Sequence, residues 1–166
     1  MSDNQTRLGI NKNGDAENNS IESLILHFIS SLNDQTLAAK NELLSIWGIT
    51  VLQHNALQVL YENDVQGIGL PSREIGQGLH TRVPDVTRLL DRLADKGWVI
   101  RERDIENRRV VRTRLTKIGK ELVESIANPI KDLQLELFKH LSKQEREDLL
   151  GLLAKASHTS TLLSQF

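Results

Sequence analysis

At 166 residues the chain has room for one domain, or for one domain with an appended dimerisation element, and its 39% hydrophobic and 26% charged residues suit a folded globular protein. No apolar run approaches the roughly 18–20 residues that a membrane helix needs, and the N-terminus lacks the apolar stretch of a secretory signal. The absence of cysteine excludes disulfides and thiolate metal sites and fits a reducing cytoplasm, the expected location.

The net charge of −1 conceals an uneven distribution. Residues 1–81 carry four basic and nine acidic side chains, residues 115–166 carry seven of each, and residues 82–114 carry ten basic against six acidic. Attraction to a polyanion needs only a local basic surface, so the +4 of the middle segment matters more than the total.

Residues 1–19, rich in Asn, Asp, Gly and Ser, predict a disordered tail. Ser20 is placed to cap a helix, with Glu22 favouring its dipole. Apolar residues at Ile21, Leu24, Ile25, Phe28, Leu32, Ala39, Leu43 and Ile46–Trp47 make a helical stripe that Gly48 ends. At 1.5 Å per residue this helix is about 35 Å long, enough to extend beyond its own core. Thr50 and Gln53 have capping-box spacing and open a helix on Leu52, Ala56, Leu57 and Leu60 that runs to about Glu62. Residues 63–71 (NDVQGIGLP) read as a loop, and Ser72 opens a shorter helix with Ile75 and Leu79 inward. His80–Arg82 form a turn, with Thr81 the expected cap of the next helix and Pro84 in its first turn. Val86, Leu89, Leu90 and Leu93 face the core of that helix, and Lys96-Gly97 stops it.

Trp98–Glu102 and Val110–Leu115 read as two strands around a charged turn, Asp104–Arg108, that is too polar to be buried. On the second strand Val111, Thr113 and Leu115 alternate with Val110, Arg112 and Arg114, giving one apolar and one basic face. Thr116 caps a further helix on Ile118, Leu122, Ile126, Ile130, Leu133 and Leu137. Pro129 lies inside it at a cost of about 3 kcal/mol, so a kink or break is expected. Ser142 and Glu145 form a second capping box ahead of Leu149, Leu150, Leu152 and Leu153. The end helices bear more apolar surface than a three-helix core with a hairpin covers. Burial against a second copy therefore predicts a two-fold homodimer.

Helix, tight turn, helix and basic hairpin is the order of a winged helix-turn-helix, a mainly α (α+β) fold. The run VTRLLDRLADKGWV, followed by Arg101-x-Arg103, then Asn107-Arg108-Arg109 and RLTKIG, resembles the MarR (multiple antibiotic resistance regulator) family of transcription factors. The resemblance covers Thr50 to Gly119 in register, and the flanking helices agree in placement. It implies a homodimer on a palindromic operator of double-stranded DNA, usually a repressor, released by a small, often aromatic or phenolic, ligand. The expected organisation is a tail (1–19), a dimerisation helix (20–48), the DNA-binding domain (49–115) and C-terminal dimerisation helices (116–166).

Physical roles stand beside that resemblance. Thr81, Arg82, Asp85, Thr87 and Arg88 lie near the helix N-terminus, placed to meet base edges or nearby phosphates. Arginine pairs bidentately with guanine, and aspartate accepts from the cytosine amino group. Arg92 suits phosphate or Asp95, and both Asp91 and Asp95 are spaced to pair with Arg88 or Arg92. In the wing, Arg108, Arg109, Arg112 and Arg114 suit the DNA backbone and the minor groove. One position departs from the family pattern: Asn107 stands where an aspartate usually precedes the arginine matched by Arg109. That leaves a neutral hydrogen bond at best, with Glu106 or Asp104 as substitutes. His27, Trp47, His54 and Tyr61 fall where the family places its effector pocket, between the dimerisation helices and the DNA-binding lobe.

Catalytic signatures are missing. The chain has no GxSxG, HExxH or phosphate loop, and Gly67-Ile68-Gly69 is no dinucleotide fingerprint, so neither an enzyme nor a cofactor is expected. His27, His54, His80, His140 and His158 lack tight ligand spacing, and no metal site is expected. The competing readings are a winged-helix protein–protein interaction module, and a metal-gated or activating regulator of the same fold.

Overall fold

The structure, a computed structural model, describes residues 20–79, 84–104 and 107–157; the expected tail, the Thr81 cap and Glu106 lie outside them. The elements run α1 (Ile21–Ser45), α2 (Val51–Asn63), β1 (Leu70–Pro71), α3 (Ser72–Gly78), α4 (Val86–Asp95), β2 (Val99–Arg103), β3 (Val111–Leu115), α5 (Lys117–Leu137) and α6 (Lys143–Ser157). Two compact units divide the chain, residues 1–38 and 39–166.

In the first unit Ser20 Oγ accepts the Ser23 amide at 3.2 Å and starts α1, whose Ile21, Ile25 and Phe28 are exposed. In the second unit several helix boundaries have a local cause. Gly48, at φ +62°, follows the end of α1. Thr50 and Gln53 make both bonds of their capping box, at 3.1 and 3.2 Å, and Ser142 and Glu145 make theirs at 2.8 and 3.3 Å. Leu44 and Ile49 meet Ala56, Leu57 and Leu60 of α2, Ile75 of α3, Leu90 and Leu93 of α4, and Val123 and Ile126 of α5 in one core.

Four local expectations are corrected. Helix α4 starts at Val86 with Asp85 as its cap, the carboxylate accepting the Arg88 amide at 2.9 Å, so Pro84 precedes the helix. The first wing strand starts one residue later than expected. The Gly97 amide bonds Ala94 O at 2.8 Å and the Trp98 amide bonds Leu93 O at 3.1 Å, which spends Trp98 on closing the helix. Residues 70–71, expected as loop, form an edge strand pairing Leu70 with Thr113 in a three-stranded antiparallel sheet of order β1-β3-β2. Two residues are too few to show a period. Helix α5 continues through Pro129. Buried Val123 and Ile126 before the proline and half-buried Ile130 and Leu133 after it share one stripe, and burying that stripe offsets the lost hydrogen bond.

Thr113, at the centre of β3, is fully buried, and its hydroxyl has no hydrogen-bond partner among the described residues. Replacing such a hydroxyl by a methyl of the same shape removes a desolvation cost, so Thr113→Val is expected to raise stability by about 1 kcal/mol. Urea unfolding measures this; a loss of stability would mean that the hydroxyl is satisfied.

Candidate nucleic-acid interface

The interface is built on α4 and the β2–β3 hairpin. Helix α4 buries Leu89, Leu90 and Leu93 and turns Thr87, Arg88, Asp91, Arg92 and Asp95 to solvent. The expected pairing along the helix does not form. Asp91 is instead held by Arg101 from β2, and among the described residues neither Arg88 nor Arg92 has an ion pair. That cross-link neutralises Asp91 and leaves two exposed guanidinium groups on the face. Asp85 is spent on capping, although it remains exposed. Thr81 and Arg82 lie outside the described residues.

At the C-terminal end of α4, Lys96 Nζ donates to Gly48 O at 2.8 Å and lies 4.5 Å from the centre of the Trp98 ring. Beyond it, β2 and β3 pair Val99 with Leu115, Arg101 with Thr113 and Arg103 with Val111. The hairpin tip is closed by its own side chains. Asp104 Oδ1 accepts the Asn107 amide at 2.8 Å, and Asn107 Oδ1 accepts the Arg109 amide at 3.2 Å. Asn107 therefore bonds the backbone of Arg109, and the guanidinium groups of Arg108 and Arg109 are exposed without an ion pair among the described residues. Arg114 lies 3.4 Å from Glu102, a loose and exposed pair.

Arg112 behaves differently. Its Nε donates to Asp104 and its terminal nitrogen donates to Gly69 O at 3.0 Å. The hydrogen bond it donates to Asp104 holds this guanidinium above its already high pKa range. Asp104, expected at an unburied turn, has a side chain only 15% exposed because it receives this arginine.

The sequence reading missed two groups. Ser72, Arg73 and Gln77 of α3 face Pro84 to Thr87 across a 420 Å³ groove, which sets the first helix of the helix-turn-helix beside the start of the second. Their signal was the motif order itself, in which the first helix crosses the DNA backbone. Arg103 shares a 450 Å³ cleft with Arg112 and Arg114, and its place on β2 hid that grouping.

The model of the MarR family matches residues 49–111. The uncharacterized HTH-type transcriptional regulator YkoM of Bacillus subtilis is 32% identical over 118 residues, 70% of this chain and 73% of its own length. A solved structure of a MarR variant from E. coli complexed with operator DNA is 30% identical, with a TM-score of 0.68, over 78% of this chain and 91% of that one. The chain belongs to the MarR family. A third relative, the S. aureus MepR–DNA complex, is 25% identical with a TM-score of 0.70, over 84% of this chain and 96% of that one. As a MarR-family member the protein is a DNA-binding transcriptional regulator, and α4 with its following hairpin is the helix and wing of a winged helix-turn-helix.

The effector candidates of this MarR-family chain lie in varied settings. His27 is exposed on α1, its ring 5.8 Å edge-on from Phe28. Trp47 is half-buried against the core. His54 on α2 is buried, and desolvation, aided by the charge of Lys40 and opposed by a hydrogen bond with Asn55, lowers its pKa. Tyr61 is exposed and donates to Glu124 of α5 at 3.1 Å, which raises the phenol pKa. Neither the cleft at Arg103 and Arg112 nor the groove between α3 and α4 is lined by any of the four. Among the described residues no three His, Asp or Glu side chains gather as metal ligands, and no helix is long and apolar enough to cross a membrane.

Proposed function

We propose that the protein is a homodimeric repressor that holds a palindromic operator and is released from it by a small, aromatic or phenolic ligand. The observation that carries the DNA reading is the pairing of Asp91 with Arg101, which leaves Arg88 and Arg92 as exposed cations on α4. On this reading Thr81, Arg82, Thr87 and Arg88 meet base edges or adjacent phosphates, Arg92 meets phosphate, and Arg108 and Arg109 reach the minor groove. The complexes of MepR and of the E. coli MarR variant with DNA support the DNA reading.

The dimer reading rests on apolar exposure. Ile21 (71%), Phe28 (52%), Leu150 (69%) and Leu152 (67%) lie on α1 and α6, the end helices, where a second copy would cover them. Residues 20–48 and 116–166 are then the dimerisation segments and residues 49–115 the DNA-binding domain. Two-fold symmetry would place the two α4 helices on half-sites about 34–36 Å apart, and a ligand would act by favouring another spacing.

Arg88→Ala is expected to weaken binding to a duplex from upstream of the protein's own gene at least about tenfold, with the melting midpoint unchanged. Fluorescence anisotropy and thermal melting read the two quantities. Wild-type protein that ignores that duplex at low salt would sink the operator reading. A monomer in analytical ultracentrifugation would sink the dimer. Footprints unchanged across a panel of phenolic compounds would count against release by such a ligand.

A further inference from the structure

The arginine that the basic face of β3 offered as a DNA contact is committed elsewhere. Arg112 uses Nε on Asp104 and a terminal nitrogen on Gly69 O, so one planar guanidinium spans the hairpin and the loop that precedes β1. Gly69 is itself held from the other side. The Asp64 carboxylate accepts its amide at 3.0 and 3.1 Å, just beyond the end of α2. Gly69 also sits at φ +84°, and a Cβ there would come within 3.1 Å of Thr113 O and 3.2 Å of Arg112 Cβ. Only glycine lets the loop lie this close to β3. On the other side of the bridge, Asp104 accepts the Asn107 amide and donates its own amide to Val110 O at 2.9 Å, so it shapes the tip that carries Arg108 and Arg109.

We propose that Arg112 is a positioning residue that sets the angle of the wing by tying Asp104 of the hairpin to Gly69 of the loop ahead of β1, leaving DNA contact to Arg108 and Arg109. This rests on the DNA-binding role of the wing. The strut also accounts for Asn107. The aspartate that would sit there is absent, and Asp104 supplies a carboxylate to a different arginine, nearer the sheet.

The distinguishing consequence is one of sign. Asp104 is an acid close to a surface that meets a polyanion. By electrostatics alone its removal tightens DNA binding; as half of a strut its removal loosens it. Asp104→Asn and Arg112→Gln are each expected to weaken binding to the upstream duplex about fivefold, and the double variant no further, as befits two halves of one contact. The slope of log affinity against log salt stays at the wild-type value, because no phosphate contact is lost. Arg112→Lys, which keeps the charge but cannot bridge two acceptors in a plane, behaves as Arg112→Gln. In DNA-free protein, amide hydrogen exchange along β2 and β3 rises in both single variants by the same factor, a readout that does not depend on DNA.

Two results overturn the proposal. One is Asp104→Asn binding as well as wild type or better, while Arg112→Gln loses about 0.9 of the salt slope, which makes Arg112 a phosphate ligand. The other is unchanged exchange in both variants. Wild-type protein that fails to bind the duplex refutes the role of the wing in DNA binding instead, and the exchange result then decides the strut by itself.

Discussion

Gly119→Ala is expected to lower the stability of the protein by about 3 kcal/mol, near the upper end of what overpacking does. For a chain of this size that lowers the melting midpoint by roughly 6–12 °C. Gly119 is buried in the first turn of α5, its amide donating to Thr116 Oγ1 at 3.0 Å. A Cβ there would lie 2.0 Å from the carbonyl oxygen of Trp98. That carbonyl cannot swing away, because it also accepts the Thr116 amide at 3.0 Å and the Thr116 hydroxyl at 3.2 Å. Nor is there a flexible side chain to give way. Helix α5 must move as a body, drawing Val123 and Ile126 from the core and displacing the start of β2. Affinity for DNA should therefore fall together with stability. Gly151→Ala is the control: it lies in α6 with nothing among the described residues within 4 Å of its added Cβ, and is expected to gain about 0.5–1 kcal/mol from helix propensity. Equal melting curves for Gly119→Ala and wild type would refute the close approach.

Leu90→Ala is expected to cost about 3 kcal/mol and to weaken DNA binding although Leu90 touches no DNA. The side chain is fully buried with Leu57, Leu60 and Leu93, and it seats α4 on α2. Truncation leaves a cavity that the rest of the close-packed core fills only in part. With its seat loosened, α4 presents Thr87, Arg88 and Arg92 over a wider range of positions, and the ordering is done at the expense of affinity. The contrast with Arg88→Ala is diagnostic, since that variant loses affinity at constant stability. A Leu90→Ala protein with wild-type unfolding would show that α4 is not anchored through this residue.

Much of the interface was legible because its signals are local. Capping boxes at Thr50 and Ser142, the cap at Thr116 and the stop at Gly97 each depend on residues within a turn of one another, and the structure contains them all. Alternation along β3 is likewise written residue by residue. The errors arose where a distant partner decides. Arg88 and Arg92 have the spacing to pair with acids on their own helix, yet Asp91 is taken by Arg101, ten residues away across the wing. Pro129 breaks a helix by local rules, yet the stripe on both sides of it is anchored in the core. Two-residue β1 exists only because β3 offers it an edge.

The sequence alone thus determined which segments are helices, which two form the hairpin, where the basic surface lies and to which family pattern it conforms, because hydrophobic period, caps and charge act over a few residues. Tertiary structure decided the duties of the charged side chains. Arg88, Arg108 and Arg112 look interchangeable as letters, but a guanidinium serves whichever acceptor the fold brings within 3 Å or so. Folding brings Asp104 and Gly69 to Arg112 and no acid to Arg88 or Arg108 among the described residues, and that difference separates the proposed strut from the cations proposed to meet DNA.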